Sequence, residues 1–178
     1  MKKITMAFLM FTSLLMAEGF TLSSKDISGQ LSINEVFQGF GCTGKNISPE
    51  LSWKNAPKGT KSFAITVYDP DAPTGSGWWH WVVFNIPKEV NSLRSGAGSI
   101  RTKLMPAGAV QNVIDYGFAG FGGACPPKGD KAHQYIFTVH ALDVEKFELD
   151  GKQSPAIAGY YINAHTLSKA SLISYYAR

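Results

Sequence analysis

Extended apolar runs, clustered basic charge and cysteine are all scarce in this chain of 178 residues. Its one extended apolar run, residues 4–16, follows Lys2-Lys3 and precedes Ala17. That is too short to span a bilayer, and it reads as an export signal cleaved after Ala17, although Leu15 stands where such sites prefer a small residue. No Lys/Arg cluster is longer than a pair, which argues against a nucleic-acid footprint or a polybasic membrane patch. Residues 1–17 hold Lys2 and Lys3 and no acid, so the formal charge of +4 falls to +2 on processing. The two cysteines, Cys42 and Cys125, lie in no CxxC or Cys/His spacing of the kind that holds zinc. A Gly-x-Ser-x-Gly nucleophile elbow is missing, as are internal repeats and heptads.

What remains suits one globular domain, residues 18–178, with 44% apolar composition and room for a single sizeable core. β-Branched and aromatic residues bounded by Pro, Gly or Asp predict strands over 62–68, 79–86 and 135–142. Each carries apolar residues on both faces, as central strands covered on two sides do. Shorter strands are expected near 20–22, 51–53 and 171–176. Ile157, Tyr161, Ala164 and Leu167 recur at helical intervals and predict one amphipathic helix over 155–170. Residues 87–112 and the glycine-rich 117–129 show no period, and loops of that length are usually functional or mobile. A β-sandwich with a few added helices fits this pattern.

Three segments carry polar chemistry at the mouths of those strands: Asp69-Pro70-Asp71-Ala72-Pro73, then His80 among Trp78, Trp79 and Trp81, then Gly123-Ala124-Cys125-Pro126-Pro127 leading to His133-Gln134-Tyr135. Asp69 ends its strand on the face of Phe63, Ile65 and Val67, at the rim of the core. Two prolines stiffen the turn that follows. A calcium loop is not expected there, because the third acid and the glycine of that motif are missing. Strict alternation gives His80 the parity of Val82 and Phe84, with Trp79 and Trp81 on the other face. His133 and Tyr135 share a face about 7 Å apart, where an imidazole and a phenol offer donors to one anionic oxygen, and the Gly122-Gly123 segment can present backbone N–H groups to the same anion.

In this order the motifs resemble those of the phosphatidylethanolamine-binding protein family, and most closely its bacterial Raf-kinase-inhibitor-like branch. The likeness runs from about Phe40, through Cys42-Thr43-Gly44-Lys45-Asn46-Ile47-Ser48-Pro49 and Leu51-Ser52-Trp53, to the C-terminus. It implies a mainly β fold, a sandwich of a large and a small sheet with a few flanking helices. It also implies a pocket for phosphate-like anions and phospholipid head groups such as phosphoethanolamine, with Asp69, His80, Gly123, His133 and Tyr135 at the ligand-binding positions. Pro73 and Trp79 would be its walls. Some family members regulate kinases or inhibit proteases, and bacterial relatives are often homodimers. Gln134 departs from the family's arginine; by parity it faces away from the pocket, so the loss falls on a supporting contact beside it.

Taken together, these observations predict a periplasmic or secreted bacterial binding protein that needs no cofactor or resident metal, with His80 and His133 donating to the anion and Asp69 orienting one ring. Such binding should weaken as pH rises and the rings lose charge. Two other readings draw on the same residues: a hydrolase with Cys125 or a serine as nucleophile, and a metal site of Asp69, His80 and His133. In an exported chain Cys42 and Cys125 either bridge, closing a long loop, or stay as unpaired thiols. His140 and His165 read as structural and surface residues respectively, and the Asn46-Ile47-Ser48 triplet reads as a chance sequon.

Overall fold

The structure, a computed structural model, describes residues 19–178, so the export signal expected over 1–17 lies outside the described residues. The strands are β1 (Thr21–Ser23), β2 (Gln38–Gly39), β3 (Cys42–Thr43), β4 (Leu51–Lys54), β5 (Ser62–Asp69), β6 (Trp78–Pro87), β7 (Ser92–Leu93), β8 (Val110–Gln111), β9 (His133–Leu142) and β10 (Thr166–Tyr176). One α-helix, α1 (Pro155–Ala164), precedes β10. A five-stranded sheet in the order β10-β9-β5-β6-β8 faces a three-stranded sheet in the order β1-β4-β7, and β2-β3 form a small ribbon. Every pairing between these strands is antiparallel.

Alternation in β5 and β9 explains the layering. Phe63, Ile65 and Val67 of β5 with Phe137, Val139 and Ala141 of β9 meet Leu51 and Trp53 of β4 in the core between the sheets. Trp53 packs edge-on to Phe63 at 5.3 Å between ring centroids. On the opposite face, Ala64, Val82, Phe84 and Leu142 are covered by Ala158 and Ile162 of α1 and by Phe147. Central strands buried on both sides are thus the expected consequence of their two apolar faces.

Helix α1 is shorter than its apolar spacing predicts, and it is turned the other way. Ser154 caps its start by accepting from Ile157 N, Pro155 takes the first turn, and the helix stops at Ala164. Residues 166–176 instead pair along the whole of β9, from Thr166 opposite Leu142 to Tyr176 opposite His133. Helical propensity loses here to a long-range ladder. The buried positions are Pro155, Ala158, Gly159 and Ile162, while Ile157 and Tyr161 of the expected stripe face outward. The aperiodic stretches contain only β7, β8 and turns, and residues from both lie against the core.

Two β-bulges break the alternation of β6. Between the pairs Phe63/Ile86 and Ile65/Val83 the β6 strand gains a residue, with Asn85 at a φ of 59° and its side chain bonded to both backbone groups of Phe147. Between Val67/Trp81 and Tyr68/Trp79 it gains another, which is His80. An extra residue shifts every following side chain by one face. Ile86 therefore joins Val83 in the inter-sheet core instead of Val82 and Phe84.

Candidate ligand-binding site

Antiparallel pairing brings the three polar segments to one end of the large sheet. β5 ends at Asp69 where β6 begins at Trp78 and β9 begins at His133, since both neighbours run against β5. A hollow of about 170 Å³ opens at that end, lined among others by Asp69, Pro73, Trp78, His80, His133 and Tyr135. Phe40, Tyr116, Cys125, Pro126 and Pro127 complete its rim. Four of the residues expected to bind ligand, together with the wall residue Pro73, thus meet in one place.

Asp69 anchors the site. One carboxylate oxygen accepts from the backbone N–H of Asp71 at 2.8 Å and of Ala72 at 3.1 Å, closing the turn on itself. The other accepts from His133 Nδ1 at 2.8 Å, both side chains being buried. This fixes the His133 ring and turns Nε2 toward Asp130 Oδ2, 3.4 Å away on a half-exposed side chain. Asp71 holds the strand next to it, accepting from Gln134 N at 2.9 Å and pairing with Lys131 Nζ at 2.9 Å. The Lys131 hydrogen bond, first, and that of the Gln134 backbone keep its carboxyl below the usual range. Gln134 does face away from the hollow; its side-chain amide reaches Asp71 at 3.5 Å, and Lys131 supplies the cation beside it.

His80 corrects the parity argument. The bulge turns it to the face of Trp81, toward Tyr135 at 5.1 Å and Tyr116 at 5.6 Å between ring centroids. Nδ1 lies 2.7 Å from the carbonyl of Gly122, which only accepts, so Nδ1 donates. Nε2 is buried without a partner. Burial pushes the ring's pKa down to about 4 against the opposing pull of Gly122 and Asp69. The ring is therefore neutral at physiological pH, and the expected imidazolium donor at this position becomes an acceptor. Tyr135 is also buried with an unpartnered hydroxyl. Desolvation first, then the charge of Asp69, hold that phenol protonated far above its ordinary range.

Two further expectations are corrected. Trp79 is no wall of this hollow: it packs on the α1 face against Gly159 and Tyr68, while Trp78 lines the hollow with its indole N–H unpartnered. Gly123 offers no free N–H, because that group donates to Asn46 Oδ1 at 2.7 Å. Its neighbours are equally engaged, Gly122 N with His80 O and Ala124 N with Glu35 O. Glycine is required at 123 for close approach, since a Cβ there would stand 2.1 Å from Glu35 O. The role of this loop is to present the Gly122 carbonyl to His80.

Cys42 and Cys125 are bridged, with Cα atoms 6.0 Å apart. The hydrolase reading loses its thiol nucleophile to that bond. Among the described residues no group of three or more His, Cys, Asp or Glu side chains is placed to hold a metal ion. Two contributors have no role assigned from the sequence: Asn46 figures there only within the family-like stretch and a chance sequon, and Arg178 in no motif. Asn46, at a φ of 53°, bonds Phe121 O and Gly123 N and so carries the loop behind His80. Arg178 donates to Pro126 O at 2.6 Å and Gly41 O at 2.8 Å, tying together the two rim segments that the disulfide joins.

Fold and site define a class, a β-sandwich with a small, largely apolar hollow that carries a few buried polar groups at the end of its central strands. Comparison with known proteins gives that class its family. The sequence profile of the phosphatidylethanolamine-binding protein family matches residues 23–177, and the chain belongs to that family. It is 51% identical over 173 residues to the protein YbcL of Escherichia coli K12, covering 96% of this chain and 93% of that one. It is also 51% identical over 142 residues to YbhB of the same organism, covering 80% and 89% respectively. The crystal structure of E. coli YbcL superposes with a TM-score of 0.87 at 53% identity, covering 89% of this chain and 98% of that one. A homologue from Chlamydia trachomatis gives 0.73 at 29% identity, covering 89% and 97%.

Proposed function

We propose that this protein binds a small oxyanion, a phosphate or a phospholipid head group, in the hollow between Asp69, His80, His133 and Tyr135, and that it acts as a binding protein outside the cytoplasm. The observation that carries the reading is the set of unpartnered polar atoms around one cavity: His80 Nε2, the Tyr135 hydroxyl and the Trp78 indole N–H. Buried polar groups almost always have partners, so three orphans on residues that line the same hollow point to a guest that supplies them. Two are donors, which suits the oxygens of an anion. Asp69 and the turn behind it hold His133 in place, so the ligand meets a preformed site.

Export is part of the same proposal. A bridged Cys42–Cys125 pair suits an oxidising compartment, and the basic-then-apolar start of the chain suits a signal sequence. Modulation of an extracytoplasmic partner would then depend on the occupancy of the hollow. Isothermal titration with phosphoethanolamine tests the site: the wild-type protein binds and the His80→Ala/His133→Ala variant does not. Equal binding by both, with the variant folded by circular dichroism, places the ligand elsewhere.

A further inference from the structure

The donors and acceptors of the hollow are unevenly matched to a bare anion. Nδ1 of His80 is committed to the Gly122 carbonyl at 2.7 Å, which leaves Nε2 buried and unpartnered on a ring that lines the hollow. A bare oxyanion has no hydrogen to offer it, and two acceptors forced together in a buried site repel. We propose that the hollow selects oxyanions that still carry a proton, the monoanion of phosphate or of a phosphomonoester, with the ligand O–H donated to His80 Nε2. The inference rests on the anion reading above.

Charge on the walls points the same way. Among the described residues no lysine or arginine lines the hollow, and the buried carboxylate of Asp69 belongs to it. A dianion placed there would be poorly compensated, whereas a monoanion needs less. The groups facing His80 are Asp69 from β5, His133 and Tyr135 from β9, and Tyr116 from the segment after β8. Asp69 favours the charged ring and His133 opposes it, but burial outweighs both and keeps Nε2 an acceptor above about pH 4. The rings of His80 and Tyr135 stand edge to face 5.1 Å apart, so one small tetrahedral group can meet both, accepting from the tyrosine and donating to the histidine. Sulfate has the same shape and no proton at neutral pH. A phosphodiester, an intact phospholipid included, has lost the required O–H altogether, so of the head groups proposed above only the free phosphomonoester, such as phosphoethanolamine, qualifies.

The test uses the wild-type protein with three probes of matched size: methyl phosphate, dimethyl phosphate and sulfate, titrated calorimetrically at constant ionic strength. At about pH 5.5, methyl phosphate is expected to bind at least tenfold more tightly than either of the others. Its second proton leaves near pH 6, so its affinity relative to sulfate should fall by more than tenfold by about pH 7.5. Sulfate has nothing to lose over that range and reports the protein's own titration. Sulfate or dimethyl phosphate binding as tightly as methyl phosphate at pH 5.5 overturns the inference and leaves the anion site standing. A methyl phosphate to sulfate ratio that stays constant with pH also overturns it. Failure of all three probes to bind removes the anion reading and this inference with it.

Discussion

Two buried histidines on opposite faces of the large sheet have much in common and one difference. His80 on β6 and His140 on β9 are both nearly inaccessible, and burial pushes both down to about pKa 4. His140 has each ring nitrogen 3.2 Å from a threonine hydroxyl, Thr66 on one side and Thr166 on the other. His80 spends one nitrogen on Gly122 and leaves the other unpartnered beside the hollow. Burial and a displaced pKa therefore do not mark a site by themselves; an unspent hydrogen bond on a residue that lines a cavity does. His140 holds the fold together, while His80 is kept available.

Acid should expose what the two have in common. Each ring has a folded-state pKa near 4 against an ordinary value of 6.5, so the unfolded chain takes up these protons first as pH falls. Their stabilising contribution is complete above about pH 6.5 and is lost progressively down to about pH 4, on the order of 3 kcal/mol for each ring. Urea unfolding across that range should show the decline, and His140→Gln and His80→Gln should each remove about half of it. An unchanged slope in either variant would mean that the ring titrates normally in the fold.

Breaking the disulfide tests whether the hollow depends on its rim. The bridge spans 83 residues of sequence, and its removal as Cys42→Ser/Cys125→Ser should lower stability by roughly 4 kcal/mol. Since Phe40, Cys125, Pro126 and Pro127 line the hollow, anion affinity should fall in the same variant. Arg178 crosses the same two segments and would hold part of the arrangement. A loss below about 1 kcal/mol would show that these contacts already constrain the loop without the bond.

Comparing His80→Gln with His140→Gln separates the two roles directly. His140→Gln disturbs two buried hydroxyl contacts and is expected to cost about 1–3 kcal/mol of stability while phosphate affinity stays within twofold. His80→Gln should reverse that pattern, with affinity down at least tenfold and a smaller loss in urea. Equal effects of the two on binding would dissolve the distinction between the faces.

Which of these features the sequence makes legible follows from the range of the interactions behind them. Asp69, His133 and Tyr135 lie on straight strands where alternation alone assigns the face, and the sandwich follows from apolar residues on both sides of β5 and β9. His80 reaches the hollow only through a bulge, which period-two reasoning does not contain; the same bulge moves the wall from Trp79 to Trp78. The end of α1 at Ala164 is set by pairing with a distant strand, and the spacing of residues 157–167 fits a helix equally well. The place of Gly123 depends on a backbone oxygen from Glu35, and the disulfide on a Cα distance that only topology supplies. What strand alternation leaves out is non-local backbone geometry, and the corrected roles of His80, Trp79 and Gly123 all depend on it.

The smallest effect on stability should come from Tyr135→Phe, and it is the most discriminating. Its hydroxyl is buried and unpartnered, so removing it takes away a desolvated polar group and breaks no hydrogen bond within the protein. The ring keeps its contact with His80 and its place in the core. Thermal stability without ligand should therefore be unchanged or higher by up to about 1 kcal/mol. Affinity for methyl phosphate and for sulfate should fall together by about tenfold, since both lose a donor. His80→Gln should instead erase the preference between those probes. A Tyr135→Phe protein that is less stable and binds normally would show that the hydroxyl serves the fold, as the threonines around His140 do.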